Sequence, residues 1–112
     1  MPIVPRKRTY SRVTRQALTM LGNLIRIGRI ERGLTAKDLA ERAGISRTTL
    51  SNIERGAPGA EIGIVFELAV LLGVRLFDSN ERILEIHSAH LKEKLTLLPE
   101  SVRKAKQFSD DF

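Results

Sequence analysis

The stretch that decides the fold lies at residues 34–56 and reads LTAKDLAERAGISRTTLSNIERG. Thr35 with Asp38 three residues later is typical of a helix N-cap with its capping acid, and Gly44 is typical of a helix end that needs a left-handed backbone. Ser46 predicts the N-cap of a second short helix. The stretch therefore predicts two helices joined by a tight turn.

The side chains of this stretch divide into an inward and an outward set. Four apolar residues are predicted to face inward and fix the crossing of the helices: Leu39, Ile45, Leu50 and Ile53. Four polar residues remain outward on the second helix: Arg47, Thr48, Ser51 and Asn52. Such a helix fits the major groove of B-DNA, where paired atoms of Arg and Asn match guanine and adenine edges. We predict that these four residues read bases; a hairpin that only packs would explain the inward set alone.

The spacing of apolar residues predicts three further helices. The first runs from about Thr14 to Arg32, with one inward face made of Ala17, Leu18, Leu21, Leu24, Ile25 and Gly28. Residues 61–72 are almost all apolar and are predicted to lie centrally in the core. Ser79 is predicted to cap a fifth helix that ends before Pro99. Because no stretch shows strand alternation, the predicted fold is all-α with five helices.

Composition and pattern divide the chain into four predicted parts. These are a basic arm at 1–12, the helical domain at 13–78, a C-terminal helix at 79–98 and a flexible polar tail at 99–112. The C-terminal helix has more apolar surface than a chain of 112 residues readily hides. A two-fold dimer interface is therefore predicted at Leu84, Leu91 and Leu95, the alternative being that these leucines only cover the core.

The positive charge of the chain is concentrated near its N-terminus. Of 19 basic residues against 13 acidic ones, eight basic residues and a single acid fall in the first 33 positions. This asymmetry indicates a polyanionic partner, most often nucleic acid, although a basic arm can also be a solvated tail. Contacts to the DNA backbone are predicted for Arg6, Lys7, Arg8, Ser46, Thr49 and Arg55.

Other classes of protein are excluded by what the sequence lacks. It has no cysteine for a disulfide scaffold or a thiolate zinc finger, and it shows no nucleophile turn or glycine-rich phosphate loop. His87 and His90 are two candidate metal ligands, too few for a zinc site. We therefore predict a non-enzyme with no cofactor and no metal. Since no signal peptide and no apolar run of spanning length is visible, a cytoplasmic protein without a membrane partner is expected.

Residues 24–78 resemble the helix-turn-helix domain of the phage-repressor and Cro-like (XRE) family. The motifs that carry this resemblance are Gly33-Leu34-Thr35, Leu39-Ala40, Gly44-Ile45-Ser46, Ile53-Glu54-Arg55-Gly56 and Leu71-Leu72-Gly73-Val74. The resemblance implies a lambda-repressor-like fold and a structural ion pair between Arg29 and Glu54. Two positions depart from the family pattern. Ala36 stands where glutamine is usual, and Ala57-Pro58 stands where a basic residue is usual, so the family's side-chain contacts to phosphate are not carried over there.

The flanking sequences narrow this resemblance to the antitoxins (HipB-like) of Hip-type toxin–antitoxin modules. The similar features are the arm with Tyr10, the long first helix, the run at 60–67, the Leu97-Leu98-Pro99 turn, the basic residues of 103–106 and the Asp110-Asp111-Phe112 end. Membership would imply a homodimer that represses its own promoter by binding double-stranded operator DNA, and a HipA-like kinase toxin as partner. The alternatives are a stand-alone phage-type repressor and a coactivator that bridges proteins.

The tail offers a hypothetical contact to such a toxin. An aromatic side chain can fill an apolar pocket while neighbouring carboxylates meet a basic rim. The residues assigned to this contact are Phe108, Asp110, Asp111 and Phe112. The alternative is a floppy terminus without a role.

Overall fold

The computed structural model describes residues 8–76 and 80–100, and these residues form helices without strands. The helices are α1 (Arg12–Glu31), α2 (Ala36–Ala43), α3 (Arg47–Glu54), α4 (Ile62–Leu72) and α5 (Glu81–Leu97). Helices α1 to α4 belong to one compact unit, and α5 belongs to a second that begins after Leu76. The all-α prediction with five helices is thereby confirmed. In these two ranges, no helix has both the length and the apolar character needed to cross a membrane.

Side-chain caps set the limits of the central helices, as the sequence predicted. The backbone N–H of Asp38 donates to Thr35 Oγ1 at 3.0 Å, and the backbone N–H of Thr35 donates to Asp38 Oδ2 at 3.0 Å. The bond from the Thr35 backbone holds the pKa of the Asp38 carboxyl below its usual value. Gly44 ends α2 with φ of 70°, a conformation that favours glycine. At the start of α3, Ser46 Oγ accepts from the backbone N–H of Thr49 at 3.0 Å.

Two helix starts differ from prediction. Helix α5 has Asn80 as its N-cap, because the Asn80 Oδ1 accepts from the backbone N–H groups of Arg82 and Ile83 at 3.0 and 3.3 Å. Ser79, the predicted cap, lies outside the described residues. Asparagine and serine rank alike as N-caps, so sequence preference could not choose between these neighbours. Helix α1 starts before Thr14, since Ser11 Oγ accepts the Thr14 backbone N–H at 3.1 Å.

The core lies among α1 to α4. Four side chains are fully buried there, one from each helix: Ile25, Leu39, Leu50 and Leu68. Ile53 is also buried, and Ile45 is partly buried against the same cluster. The predicted inward set of residues 34–56 is thus confirmed.

In α1 and α4, the apolar face predicted to be buried is wider than the face that the structure buries. Leu24 and Ala17 of α1 are exposed, and so are Ile62 and Val70 of α4. A helix in a four-helix unit covers only the side that meets its neighbours, so apolar residues around the rest of α4 stay in contact with solvent. Along α1, five of the exposed apolar residues form a stripe at alternating spacings of four and three: Val13, Ala17, Met20, Leu24 and Ile27.

Candidate nucleic-acid interface

Helix α3 is held by its inner side and presents its outer side to solvent. Leu50 and Ile53 anchor it in the core. The residues predicted to read bases lie on the remaining surface, where Arg47, Thr48 and Ser51 are exposed and Asn52 is half-buried. This exposed side contains hydrogen-bond donors and acceptors and no carboxylate, which suits it to the edges of base pairs.

An ion pair fastens the C-terminal end of α3 to α1. Arg29 donates from Nε to Glu54 Oε2 at 2.7 Å and from Nη2 to Glu54 Oε1 at 3.1 Å. A third donor, Arg29 Nη1, reaches the backbone carbonyl of Leu34 at 3.0 Å. The side chains of the pair are only 13% and 10% exposed, and the hydrogen bond to Glu54 raises the pKa of Arg29 above its ordinary value. The pair therefore links α1, the turn before α2 and the last residue of α3.

Helix α1 approaches the same end of α3 at Gly22. A Cβ atom added to Gly22 would lie 2.6 Å from the carbonyl oxygens of both Ile53 and Glu54. Only a residue without a side chain fits this contact, because both neighbours are backbone atoms. The close approach and the ion pair together fix how α3 is held against α1.

Asn52 and Arg55 are linked in a way that the sequence did not indicate. Arg55 Nη2 donates to Asn52 Oδ1. An asparagine that reads adenine with both amide atoms accepts through this oxygen and donates through its nitrogen. Asn52 must therefore share its oxygen between Arg55 and a base, or release Arg55 on binding. Asn52, predicted to read a base, and Arg55, predicted to contact the DNA backbone, are thus joined by a hydrogen bond.

The hydroxyl groups predicted to contact the DNA backbone meet each other at the start of α3. Ser46 Oγ lies 2.9 Å from Thr49 Oγ1 and is also the cap of the helix. The bond between the two hydroxyls uses one of their two hydrogens, so the other can donate to a phosphate oxygen.

A groove of about 700 Å³ opens between α1, α2 and the outer side of α3. Its lining includes Arg26 of α1, Ala36 of α2, and Arg47 and Arg55 at the two ends of α3. Sequence reasoning missed Arg26. The sequence signal for Arg26 is its spacing. Arg26 lies four residues after Gly22 and three before Arg29, so these three residues share one side of α1.

Part of the predicted basic arm lies beside the turn that follows α3. The Arg8 guanidinium carbon is 6.0 Å from the centroid of the Tyr10 ring, at the outer limit of a cation–π contact. Arg8, Tyr10 and Arg15 line a cavity of about 430 Å³ with Gly56 and Pro58. Several predicted site residues fall outside the described ranges: Arg6, Lys7, Phe108, Asp110, Asp111 and Phe112.

Helix α5 carries the leucines predicted to form a dimer interface. Leu84, Leu91 and Leu95 are exposed, the last two by 64% and 68%. No residue of α5 is buried. His87 and His90 also lie on α5, and the described residues contain no group of three or more metal-ligating side chains.

Comparison with known proteins gives matches over the region that contains α2, α3 and α4. The family model described as helix-turn-helix matches residues 25–78. An uncharacterized HTH-type transcriptional regulator of Methanocaldococcus jannaschii is 34% identical over 56 residues, which are 50% of this chain and 85% of that protein. No solved structure is significantly similar to the chain.

Proposed function

Because the chain belongs to the helix-turn-helix family of DNA-binding transcriptional regulators, we propose that it is a sequence-specific repressor that binds duplex DNA as a homodimer. The observation that carries this proposal is the presentation of α3. Its buried residues hold it in the core, and a polar side free of carboxylates, with Arg47 and Asn52, is left for the bases. The chain's net charge of +6 adds favourable attraction to the phosphate backbone.

Base reading is tested by Arg47→Ala and Asn52→Ala. Each substitution is expected to weaken binding to a selected duplex site by about 1–3 kcal/mol while barely changing binding to random duplex, because base contacts discriminate among sequences. Both affinities are measured by fluorescence anisotropy, with the site selected from a random duplex library. Arg75→Ala, at an exposed arginine after α4, is the control for the loss of one charge. Equal losses on both DNAs would contradict base reading by these residues.

The homodimer is supported by the exposed leucines of α5. A helix of 17 residues with no buried side chain has little to stabilise it in a monomer, since most helical stability in proteins comes from packing. Pairing two copies through Leu84, Leu91 and Leu95 would cover this surface. A two-fold dimer on a two-fold operator requires its recognition helices to be about 34 Å apart.

The dimer is tested by Leu91→Asp. We expect this variant to be monomeric by light scattering at concentrations where the unchanged protein is dimeric, because a carboxylate is costly to bury in an apolar interface. Ala89→Asp is the matched control: position 89 is also exposed on α5, and two residues along a helix separate side chains by more than half a turn. A dimeric, folded Leu91→Asp protein would place the interface elsewhere.

We also propose the finer role of antitoxin to a HipA-like kinase toxin. The similarity of the flanking sequences supports it, as does the exposed apolar stripe of α1, which offers surface for a protein. Leu24 of the stripe precedes Arg26 of the groove by two residues, so the two side chains point in nearly opposite directions from α1. A protein on the stripe would leave the groove and α3 accessible to DNA.

The antitoxin role is tested with the product of the reading frame next to this gene. A kinase-like product that copurifies with the full chain supports the role, and a neighbour that is not kinase-like favours the stand-alone repressor. Truncation after Leu98 tests the tail: loss of toxin affinity by calorimetry, with DNA binding intact, supports docking through Phe108, Asp110, Asp111 and Phe112. A chain that binds proteins but no duplex DNA would favour the bridging coactivator.

A further inference from the structure

We propose that Arg26 and Arg55 form a phosphate-binding site that holds a backbone phosphate of the bound duplex, beside Arg47, which is assigned to the bases. This inference rests on the proposed DNA-binding function and adds a contact from α1, a helix for which no DNA contact was predicted. The site is the groove of about 700 Å³ between α1, α2 and α3.

The charges around this groove are not balanced within the described part of the chain. Four guanidinium groups line it, and Glu54 supplies the single carboxylate of its lining. Glu54 is bound at both oxygens by Arg29, so it is already committed to that partner. Arg26, Arg47 and Arg55 have no ion pair with any described residue. Three like charges facing one groove repel each other, and an anion placed among them relieves that repulsion.

Phosphate is the anion that this lining suits. A guanidinium group offers parallel N–H donors that match two oxygens of a phosphate, and arginine is the side chain most often used for this geometry. Ala36 has only a methyl group, which leaves the groove open on the α2 side. Arg55 is also oriented in advance by its hydrogen bond to Asn52.

The backbone that carries Arg26 is held on both sides of it. Gly22, four residues earlier, lies against the carbonyl groups at the end of α3, and Arg29, three residues later, is fixed by Glu54. Residues at these spacings share one side of a helix. The contacts of Gly22 and Arg29 therefore hold the backbone of Arg26 next to α3. The groove is largely formed before DNA binds, so little binding free energy is lost in ordering α1.

The test is the salt dependence of duplex binding by Arg26→Ala. The probe is a mixed-sequence duplex of about 30 base pairs, which is about three helical turns, followed by fluorescence anisotropy over a series of salt concentrations. Loss of one phosphate contact is expected to reduce the slope of log K against log salt by about 0.9, and affinity at 0.1 M salt by about eightfold. Arg26→Lys should recover part of the affinity, because lysine keeps the charge without the planar fork.

Arg75→Ala is the matched control because it removes the same charge from the same unit. Arg75 is exposed and follows Val74, which approaches α1 at Gly28. Gly28 is two residues from Arg26, and this spacing turns the two positions to nearly opposite sides of α1. The slope of Arg75→Ala should match that of the unchanged protein. Thermal unfolding followed by circular dichroism verifies that both variants are folded.

The outcomes separate this inference from the function on which it rests. If the unchanged protein does not bind duplex DNA, the proposed function fails. If it binds, and Arg26→Ala has the same slope as Arg75→Ala, the phosphate site is overturned while the function stands. Titration with inorganic phosphate, followed by NMR of the arginine Nε–H groups, tests the other source of the same chemistry. Saturation below about 1 mM that depends on Arg26, without a change in duplex slope, would overturn the DNA assignment and identify a small-anion site.

Discussion

Replacing Gly22 by alanine is expected to lower the free energy of unfolding by about 3 kcal/mol, measured by urea denaturation. The new methyl group would lie 2.6 Å from the carbonyl oxygens of Ile53 and Glu54, far inside ordinary van der Waals contact. Because both neighbours are backbone atoms at the end of α3, no side-chain rotation relieves the clash. Helix α1 must move away from α3, and the core residue Ile25 moves with it.

The control for this prediction is the same substitution at Gly63. That residue lies inside α4, is exposed, and an added Cβ there would meet nothing within 4 Å. Alanine should be neutral or slightly stabilising at Gly63, because it loses less backbone entropy than glycine in a helix. Equal stabilities of the Gly22→Ala and Gly63→Ala proteins would contradict the close approach of α1 to α3.

The consequence for DNA binding follows from the residues near the contact. Moving α1 displaces Arg26 relative to Arg47 and Arg55, and it strains the Arg29 ion pair with Glu54. Under conditions where the Gly22→Ala protein stays folded, we therefore expect weaker duplex binding than for Gly63→Ala. The comparison shows whether α1 contributes to DNA affinity through its position as well as through its charge.

The central helices could be predicted from sequence because their signals are local. The hydrogen bonds between Thr35 and Asp38 join residues three apart, and Gly44 needs its backbone conformation whatever surrounds it. The same holds for the Ser46 cap. Local signals were insufficient at α5, where Asn80 and Ser79 are adjacent residues with similar capping ability. Interactions between residues three or four apart in sequence can therefore be predicted from the identities of those residues.

The sides of α1 could not be predicted in the same way. Three rows of residues at spacings of three and four run along this helix: one that includes Ile25 and is buried, one that includes Leu24 and is exposed, and one that includes Arg26 and borders the groove. Periodicity indicates a helix and cannot tell which row meets which neighbour. That choice depends on α3 and α4, which are distant in sequence, and it is also why neither Gly22 nor Arg26 was singled out.

The exposure of most residues predicted to read bases could be inferred from the sequence. Their contact with bases stays a prediction. Burial of Leu50 and Ile53 leaves Arg47 and Ser51 exposed, as their positions in the helix require. The hydrogen bond between Arg55 and Asn52 was not predictable, because several rotamers are open to an exposed arginine.

Replacing Glu54 by glutamine is expected to lower the free energy of unfolding by about 3 kcal/mol, because it leaves the nearly buried guanidinium of Arg29 without a charged partner. Arg29 would keep its hydrogen bond to the Leu34 carbonyl. That bond provides an acceptor for one N–H group and does not neutralise the positive charge. The measurement is again urea denaturation, with Glu41→Gln as the control, since Glu41 is exposed on α2 and has no ion pair with a described residue.

A double substitution separates the cost of an unpaired charge from the loss of the residue itself. With Arg29→Met added, Glu54→Gln should cost clearly less than it does alone, because the charge that needed Glu54 has been removed. We expect a coupling energy of about 1–3 kcal/mol between the two positions. Additive effects of the two substitutions would show that the ion pair does not hold α3 against α1. The packing around Gly22 would then be the main interaction that stabilises the contact between these helices.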